Sequence, residues 1–452
     1  YAKAYNGKFI LRFEDTDPKT KKPQLEYYEN VRNDLNWLDC TPNEEYIQSK
    51  RLEIYYDVAR SLINQGNAYI CECSQDMFKS LLIKCESCPD RPLSPEINIK
   101  RLQKMLDGEY SEGNAVLRIR ADLNHPNPAV RDWPAMRIIN TDNHPHPLVK
   151  NKFKVWPLYN FSCSIDDHLL GITHIIRGVE HITNGIKQRQ IYEYMKWTYP
   201  TEIHYGRVSL EKNILSKSDI LEGIETKKFQ GYDDPRLGTL IALRKRGFQS
   251  NTLRNLIHNV GIHPSKAQIE WSNLEAMNRK IIDPISNRRF VILSPYKLTI
   301  EGLKDVKSVI LPLHPEQPTR GNRKIEIKEN NGKIIVYVDK NDLMKVGVGG
   351  SLRLKGFINI QIKSINESSS ATFEGYDLNN ALKSKYPIIH WLPYNSFCNV
   401  KILWDDATSI KCIGESGLES EKIDNLVQME RIGFARIDEK KKDLISMVYS
   451  HQ

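Results

Sequence analysis

Val155 to Glu180 reads VWPLYNFSCSIDDHLLGITHIIRGVE, and its last part decides the fold. Ile172-Thr173-His174-Ile175-Ile176-Arg177-Gly178 is an apolar, β-branched run that ends in a charge and a glycine. That is the pattern of a buried parallel strand whose carboxyl end opens into a site. In open α/β sheets ligands sit at those carboxyl ends, so Arg177 is expected to point at a ligand. Its planar fork of donors suits a carboxylate or a phosphate, although a lone arginine closing a strand at the surface is the commoner arrangement. Tyr159 and Cys163 stand four apart, one helical turn, and can share a face directed at the same site. Asp166-Asp167-His168 invites a metal, but no other His or carboxylate stands nearby at ligand spacing, and a helix-end or loop role is preferred.

Upstream, Lys8 to Phe13 alternates as a strand does, and Glu14-Asp15-Thr16-Asp17-Pro18 follows at its end. An Asp-rich turn is the ordinary reading. Three acids beside a strand end also make a receptor for a substrate ammonium group, with Glu14 on the face of Arg12. Leu25, Tyr28, Val31, Leu35 and Leu38 predict one amphipathic helix; Leu52, Tyr55, Ala59, Leu62 and Ile63 predict another, stopped by Gly66. Strand, helix, helix is half of a nucleotide-binding α/β fold. Tyr1 to Tyr5 reads as the middle of a helix, so a front piece is expected before it.

Ala68 to Cys73 reads as a short strand carrying Cys71 and Cys73, and Cys85-Glu86-Ser87-Cys88 follows. Such a knuckle and turn either close a tetrahedral thiolate site for structural Zn²⁺ or remain free thiols. A four-thiolate site has no open position, so nothing catalytic is expected of it. Residues 68–150 read as an insertion between two halves of the α/β unit.

Downstream, a helix is predicted from about Asn184 to Lys196 and a short strand over His204 to Leu210. The next loop, Ile214-Leu215-Ser216-Lys217-Ser218-Asp219, places a lysine between two hydroxyls, a set that can donate several hydrogen bonds to phosphate oxygens. Residues 231–290 are helical and basic. From Phe290 short alternating strands follow, such as Lys324 to Ile327, Ile334 to Val338 and Asn359 to Ile365, with Gly and Asn turns between them, as in barrels.

With 452 residues the chain has room for roughly two to four domains. A hydrophobic share of 40% and a charged share of 27% are ordinary for a soluble globular protein, and a net charge of +9 fits a polyanionic partner without requiring one. No apolar segment is long enough to span a bilayer, and no secretory signal stands at the start. Eight cysteines, four of them between residues 71 and 88, suit a metal site or free cytosolic thiols rather than a disulfide scaffold.

Taken together, RFEDTDP (Arg12 to Pro18), LYNFSCSIDDHLLGITHIIRGVEH, HYGR (His204 to Arg207), LSKS (Leu215 to Ser218) and YDDPRLGTLIALRKRG (Tyr232 to Gly247) resemble, in order, segments of the class I glutamyl- and glutaminyl-tRNA synthetases. The resemblance implies a multidomain α/β protein. Residues 1–67 and 151–230 form a Rossmann-type catalytic domain, 68–150 an inserted acceptor-stem domain, 231–290 a helical connector and 291–452 β-barrels that bind the anticodon, as in the archaeal and eukaryotic-type branch. It implies ATP with Mg²⁺, L-glutamate and tRNA(Glu) as partners, tRNA(Gln) as a second acceptor, a cytoplasmic monomer and no membrane. Leu215-Ser216-Lys217-Ser218 is similar to the KMSKS loop, whose lysine stabilises the leaving pyrophosphate. Glu14 matches the acid that holds the substrate α-amino group, with Arg12 beside it. Tyr159 and Cys163 match pocket residues, and Gly178, Arg207 and Val208 fall where the family touches ATP. Arg177 separates glutamyl from glutaminyl enzymes, because a buried guanidinium pairs with a carboxylate and would be left unpaired by an amide. The family's HIGH signature does not occur; relatives carry it just before the position of Tyr1. A glutaminyl-tRNA synthetase and a non-catalytic tRNA-binding module remain as alternatives.

Overall fold

The computed structural model describes residues 1–211, 216–303 and 306–452. The chain divides into two units: Tyr1–Val208 with Val260–Ala267, and Ser209–Asn259 with Gln268–Gln452.

In the first unit β1 (Ile10–Phe13) leads through α1 (Leu25–Trp37) to β2 (Glu44–Ile47), which pairs with β1 in parallel, and then to α2 (Leu52–Asn64). The five apolar positions read for α2 are all fully buried, and the chain leaves the helix at Gly66 with φ +73°, a conformation that favours glycine. The stripe read for α1 is different: Tyr28 is its only buried residue, while Leu25 is 58% and Val31 38% exposed. Next come β3 (Ala68–Cys71), α3 (Gln75–Lys84), α4 (Pro95–Leu106), β4 (Val116–Ile119), β5 (Pro134–Ile138) and β6 (Val155–Pro157). The four strands make one antiparallel sheet in chain order, and its apolar face packs with α2 and α4 into the unit's main core.

The deciding stretch then forms α5 (Tyr159–Leu169) and β7 (His174–Gly178); α6 (Ile182–Met195) and β8 (Thr201–Tyr205) follow, with β8 parallel to β7. The strand is parallel, as read, but its burial is reversed: His174 and Ile176 are exposed, and Arg177 and Gly178 are buried. The Asp166-Asp167-His168 cluster is structural. Asp166 accepts from Gln48, Arg51 and Tyr55, Asp167 pairs with Arg12, and the His168 ring stacks on Trp197 at 4.0 Å.

The second unit carries the helices Lys217–Glu225, Leu240–Lys245 and Trp271–Ile282, then two sheets that each close on themselves. In the seven-stranded sheet the end strands are Asn287–Arg289 and Val291–Ile292, consecutive in the chain and divided by Phe290. In the eight-stranded sheet, Ile388–Ile389 pairs with Ser351–Leu354 at one end and Trp391–Pro393 pairs with Lys333–Asp339, so the break falls at His390. A strand split at one residue thus removes the free edges of both sheets. The two splitting side chains stack on each other, with ring centroids 4.7 Å apart. Some basic residues of 231–290 are committed internally: Arg289 bonds Glu415 and Glu421, Arg288 bonds Asp283, and Arg246 is 3% exposed. Arg244, Arg279 and Lys280 stay exposed.

Candidate active site

Of the acids after β1, only Glu14 is available to a ligand. Asp15 is buried and accepts from Tyr28 at 2.7 Å and from the Ser49 hydroxyl at 2.6 Å. Burial pushes its carboxyl up, but hydrogen bonds from His146, Ser49 and Tyr28 outweigh this and hold it below the usual range. Asp17 pairs with Arg137 at 2.9 Å. A three-acid receptor is therefore not what forms. Glu14 keeps its side chain 38% exposed, and its Oε1 accepts from Arg12 at 3.0 Å and from the Cys163 thiol at 3.1 Å. Its Oε2 has no hydrogen-bond partner among the described residues.

The helix α5 starts directly after β6, so Tyr159 opens its first turn and Cys163 lies one turn on, as the spacing implied. Cys163 is fully buried, and burial raises its thiol well above the usual range. Burial also raises the Tyr159 hydroxyl, helped by Cys163 and Glu14 and opposed by Arg177. Glu14, Tyr159, Asn160, His181, Asn184 and Lys187 line an open depression of ≈ 510 Å³. The Tyr159 and His181 rings approach to 5.7 Å, and Asn160 bonds Asn184 at 3.1 Å.

Arg177 does not point outward as a free ligand-binding group. Its Nε donates to Glu202 at 2.8 Å, Nη1 to Gln188 at 2.8 Å and Nη2 to Tyr199 at 3.2 Å, and Nη2 also bonds Glu202. The cause is the register of the parallel pair: Arg177 lies opposite His204 and Ile175 opposite Glu202, which makes Glu202 the diagonal neighbour of Arg177 on one face. Burial disfavours the Glu202 carboxylate, but Arg177, with His204 and Arg189, outweighs it and lowers the pKa. The backbone of α6 closes over this pair at Gly185, where a Cβ would lie 2.6 Å from Glu202 Oε1 and 3.0 Å from Arg177 Nη2.

Gly178 ends β7, and a Cβ there would meet the Glu180 carboxylate at 2.3 Å. Arg207 is exposed and Val208 half-buried; Gly206 before them is buried, and a Cβ on it would stand 2.0 Å from the Ser265 carbonyl oxygen. In the second unit Lys217 is the first residue of its helix, and the hydroxyls of Ser216 and Ser218 approach to 2.8 Å. Leu215 lies outside the described residues.

Near β3 the ligand atoms of Cys71, Cys73, Cys88 and Asp90 lie within 4.8 Å of one another, and the Cys71–Cys88 and Cys73–Cys88 sulfurs are 3.6 and 3.2 Å apart. The expected fourth thiol, Cys85, is not in this group. It caps α3 in the left-handed conformation with φ 59°, and Asp90 takes its place. Three soft sulfurs and one carboxylate in a compact set fit Zn²⁺.

Comparison with known proteins bears on all of this. Residues 1–284 match the catalytic domain of class I (E and Q) tRNA synthetases, and residues 286–378 match the anticodon-binding domain of the same class. The chain belongs to the class I glutamyl/glutaminyl-tRNA synthetase family. Within this family it is 46% identical over 456 residues to the glutamate–tRNA ligase of Thermococcus kodakarensis and 47% identical over 452 residues to that of Pyrococcus furiosus; each alignment covers 100% of this chain and 78% of the relative. The glutamate–tRNA ligase of Methanobrevibacter smithii is 41% identical over 453 residues, again with 100% and 78% coverage. A solved glutamate tRNA ligase from Elizabethkingia meningosepticum, in complex with its amino acid, aligns over 62% of this chain and 64% of that one, with 21% identity and a TM-score of 0.43.

Asn160, His181, Asn184 and Lys187 were absent from the sequence reading of the site. His181, Asn184 and Lys187 recur every three residues where α6 begins, a spacing that marks one helix face.

Proposed function

We propose that this synthetase attaches L-glutamate to tRNA(Glu) in two steps. The glutamate carboxylate first attacks the α-phosphate of ATP, releasing pyrophosphate, and the acyl group then passes to the terminal adenosine of the tRNA. The observation that carries the reading is family membership along the whole chain, with relatives named glutamate–tRNA ligases at 41–47% identity. No side chain has to act as a nucleophile, so catalysis rests on positioning and charge stabilisation. Glu14 binds the substrate ammonium through its open oxygen, and Arg12 and Cys163 hold that carboxylate in place. Tyr159 walls the pocket. In the second unit Lys217, between Ser216 and Ser218, is a phosphate contact; in the first unit Gly178, Arg207 and Val208 are nucleotide contacts. Mg²⁺ would come with ATP and neutralise the charge of its phosphates.

The same reading assigns 68–150 to the acceptor stem, 231–290 to a connector and 291–452 to the anticodon, in a cytoplasmic monomer. Arg244, Arg279 and Lys280 are its phosphate contacts in the connector. Cys71, Cys73, Cys88 and Asp90 hold a structural zinc. Charging of tRNA(Gln) with glutamate is the second part of the proposal, and it rests on the family resemblance of the sequence motifs alone. Pyrophosphate exchange with tRNA present, using the protein from its complete reading frame, tests the reading. Glutamate should drive exchange far better than glutamine, and a preference for glutamine refutes it.

A further inference from the structure

The inference rests on the proposed function and concerns what holds Glu14 where an ammonium group can reach it. Glu14 follows β1 directly, and the next residue, Asp15, anchors the turn. The Asp15 carboxylate is occupied by the Ser49 backbone N–H and hydroxyl and by the Tyr28 hydroxyl. Its backbone carbonyl is held from elsewhere. His146 Nε2 lies 3.0 Å from that oxygen, and among the described residues no other donor reaches it. The same ring nitrogen faces Asp15 Oδ2 at 3.3 Å. His146 is wholly buried and comes from the segment between β5 and β6, 131 residues further along the chain.

The other ring nitrogen settles which way this bond runs. Nδ1 faces the backbone N–H groups of Leu148 at 3.2 Å and Val149 at 3.5 Å, so it accepts, and Nε2 carries the proton and donates. The ring has little freedom. His146 stands between Pro145 and Pro147, its backbone exchanges two hydrogen bonds with Lys150, and its ring stacks on buried Trp156 at 5.4 Å. Two more contacts join the turn to the inserted segment, Asp17 with Arg137 at 2.9 Å and Lys19 with Glu112 at 2.6 Å. Those side chains are between 21% and 45% exposed, where an ion pair adds little. The His146 bond is the one shielded from water, and there a hydrogen bond is electrostatically stronger.

We propose that His146 is a positioning residue for the amino-acid substrate: by donating to the Asp15 carbonyl it fixes the turn that aims the Glu14 carboxylate at the substrate ammonium. The inserted segment thereby takes part in glutamate binding without touching glutamate. The ammonium is not the reacting group and is held alike in the ground state and the transition state. Loss of the contact should therefore appear in KM and not in kcat.

Three substitutions in the protein from its complete reading frame separate positioning from local packing. His146→Gln keeps a donor at the place of Nε2, His146→Asn keeps an acceptor at the place of Nδ1, and His146→Phe keeps the ring stack alone. In tRNA-dependent pyrophosphate exchange, His146→Asn and His146→Phe should raise the KM for glutamate roughly three- to ten-fold, the worth of one hydrogen bond. The kcat and the KM for ATP should stay within about two-fold, and His146→Gln should recover most of the glutamate KM. His146→Asn and His146→Gln each lose one hydrogen bond and should melt within about 2 °C of each other, so stability does not produce the difference. A wild-type glutamate KM in both His146→Asn and His146→Phe, recovery by His146→Asn in place of His146→Gln, an equal rise in the KM for ATP, or loss of the fold in all three overturns the proposal. A wild type that shows no glutamate-dependent exchange overturns the functional reading itself, which separates the two failures.

Discussion

Neutralising Glu202 tests the buried ion pair between Arg177 and Glu202. In Glu202→Gln the side chain keeps its shape and one acceptor, but the Arg177 guanidinium loses its counter-charge in a place where the two side chains are only 9% and 5% exposed. Removing one partner of a buried pair costs about 3–5 kcal/mol, and charge-assisted hydrogen bonds are worth about 1.5–3 kcal/mol. Gln188 and Tyr199 still bond Arg177, and the new amide still accepts, which puts the expected loss near the lower figure, about 2 kcal/mol. For a unit of this size that is a drop in melting temperature of roughly 4–8 °C. The assay is thermal unfolding of wild type, Glu202→Gln, Arg177→Gln and the double variant. The double variant should cost less than the two singles added, by about 1.5 kcal/mol or more. Melting of Glu202→Gln within about 1 °C of wild type, or single effects that add, refutes a stabilising role for this ion pair.

Three further outcomes are expected. Gly206→Ala should cost about 1–3 kcal/mol, because its Cβ would stand 2.0 Å from the backbone oxygen of Ser265 and the loop itself must move; melting identical to wild type counts against that packing. His390 is 5% exposed near Glu430, Arg431, Lys355 and Asp342, and burial lowers its pKa from 6.5 to about 3. The unfolded chain therefore takes up this proton first, so the contribution is complete above about pH 6.5 and is lost as pH falls towards 3, at up to about 1.4 kcal/mol per pH unit. Urea midpoints at pH 7.5 and pH 4.5 should differ more in wild type than in His390→Phe, and equal differences contradict it. Metal analysis should find one zinc per chain, lost in Cys71→Ser, Cys73→Ser and Cys88→Ser and kept in Cys85→Ser; loss in Cys85→Ser restores the four-thiolate reading.

What the sequence disclosed depended on how local the determining pattern was. The helix α2, the Tyr159–Cys163 turn and the alternating strands of both barrels are set by periodicity within a few residues, and these formed as read. Partners fixed by distant register were hidden. Glu202 reaches Arg177 only because β8 pairs with β7 in one register, which nothing near Arg177 reveals. Asp90 replaces Cys85 because α3 ends in a left-handed residue that carries Cys85 away from the other thiols. Asp15 and Asp17 became structural through Ser49, Tyr28 and Arg137, all remote in sequence. Family likeness reached the correct class without revealing that Arg177 bonds Glu202.

The most direct test is to offer the protein from its complete reading frame equal glutamate and glutamine with ATP and tRNA(Glu), and to identify the ester on the tRNA 3′ end by mass spectrometry. The account predicts glutamyl-tRNA. Glutaminyl-tRNA, or no ester under conditions where ATP binds, contradicts it.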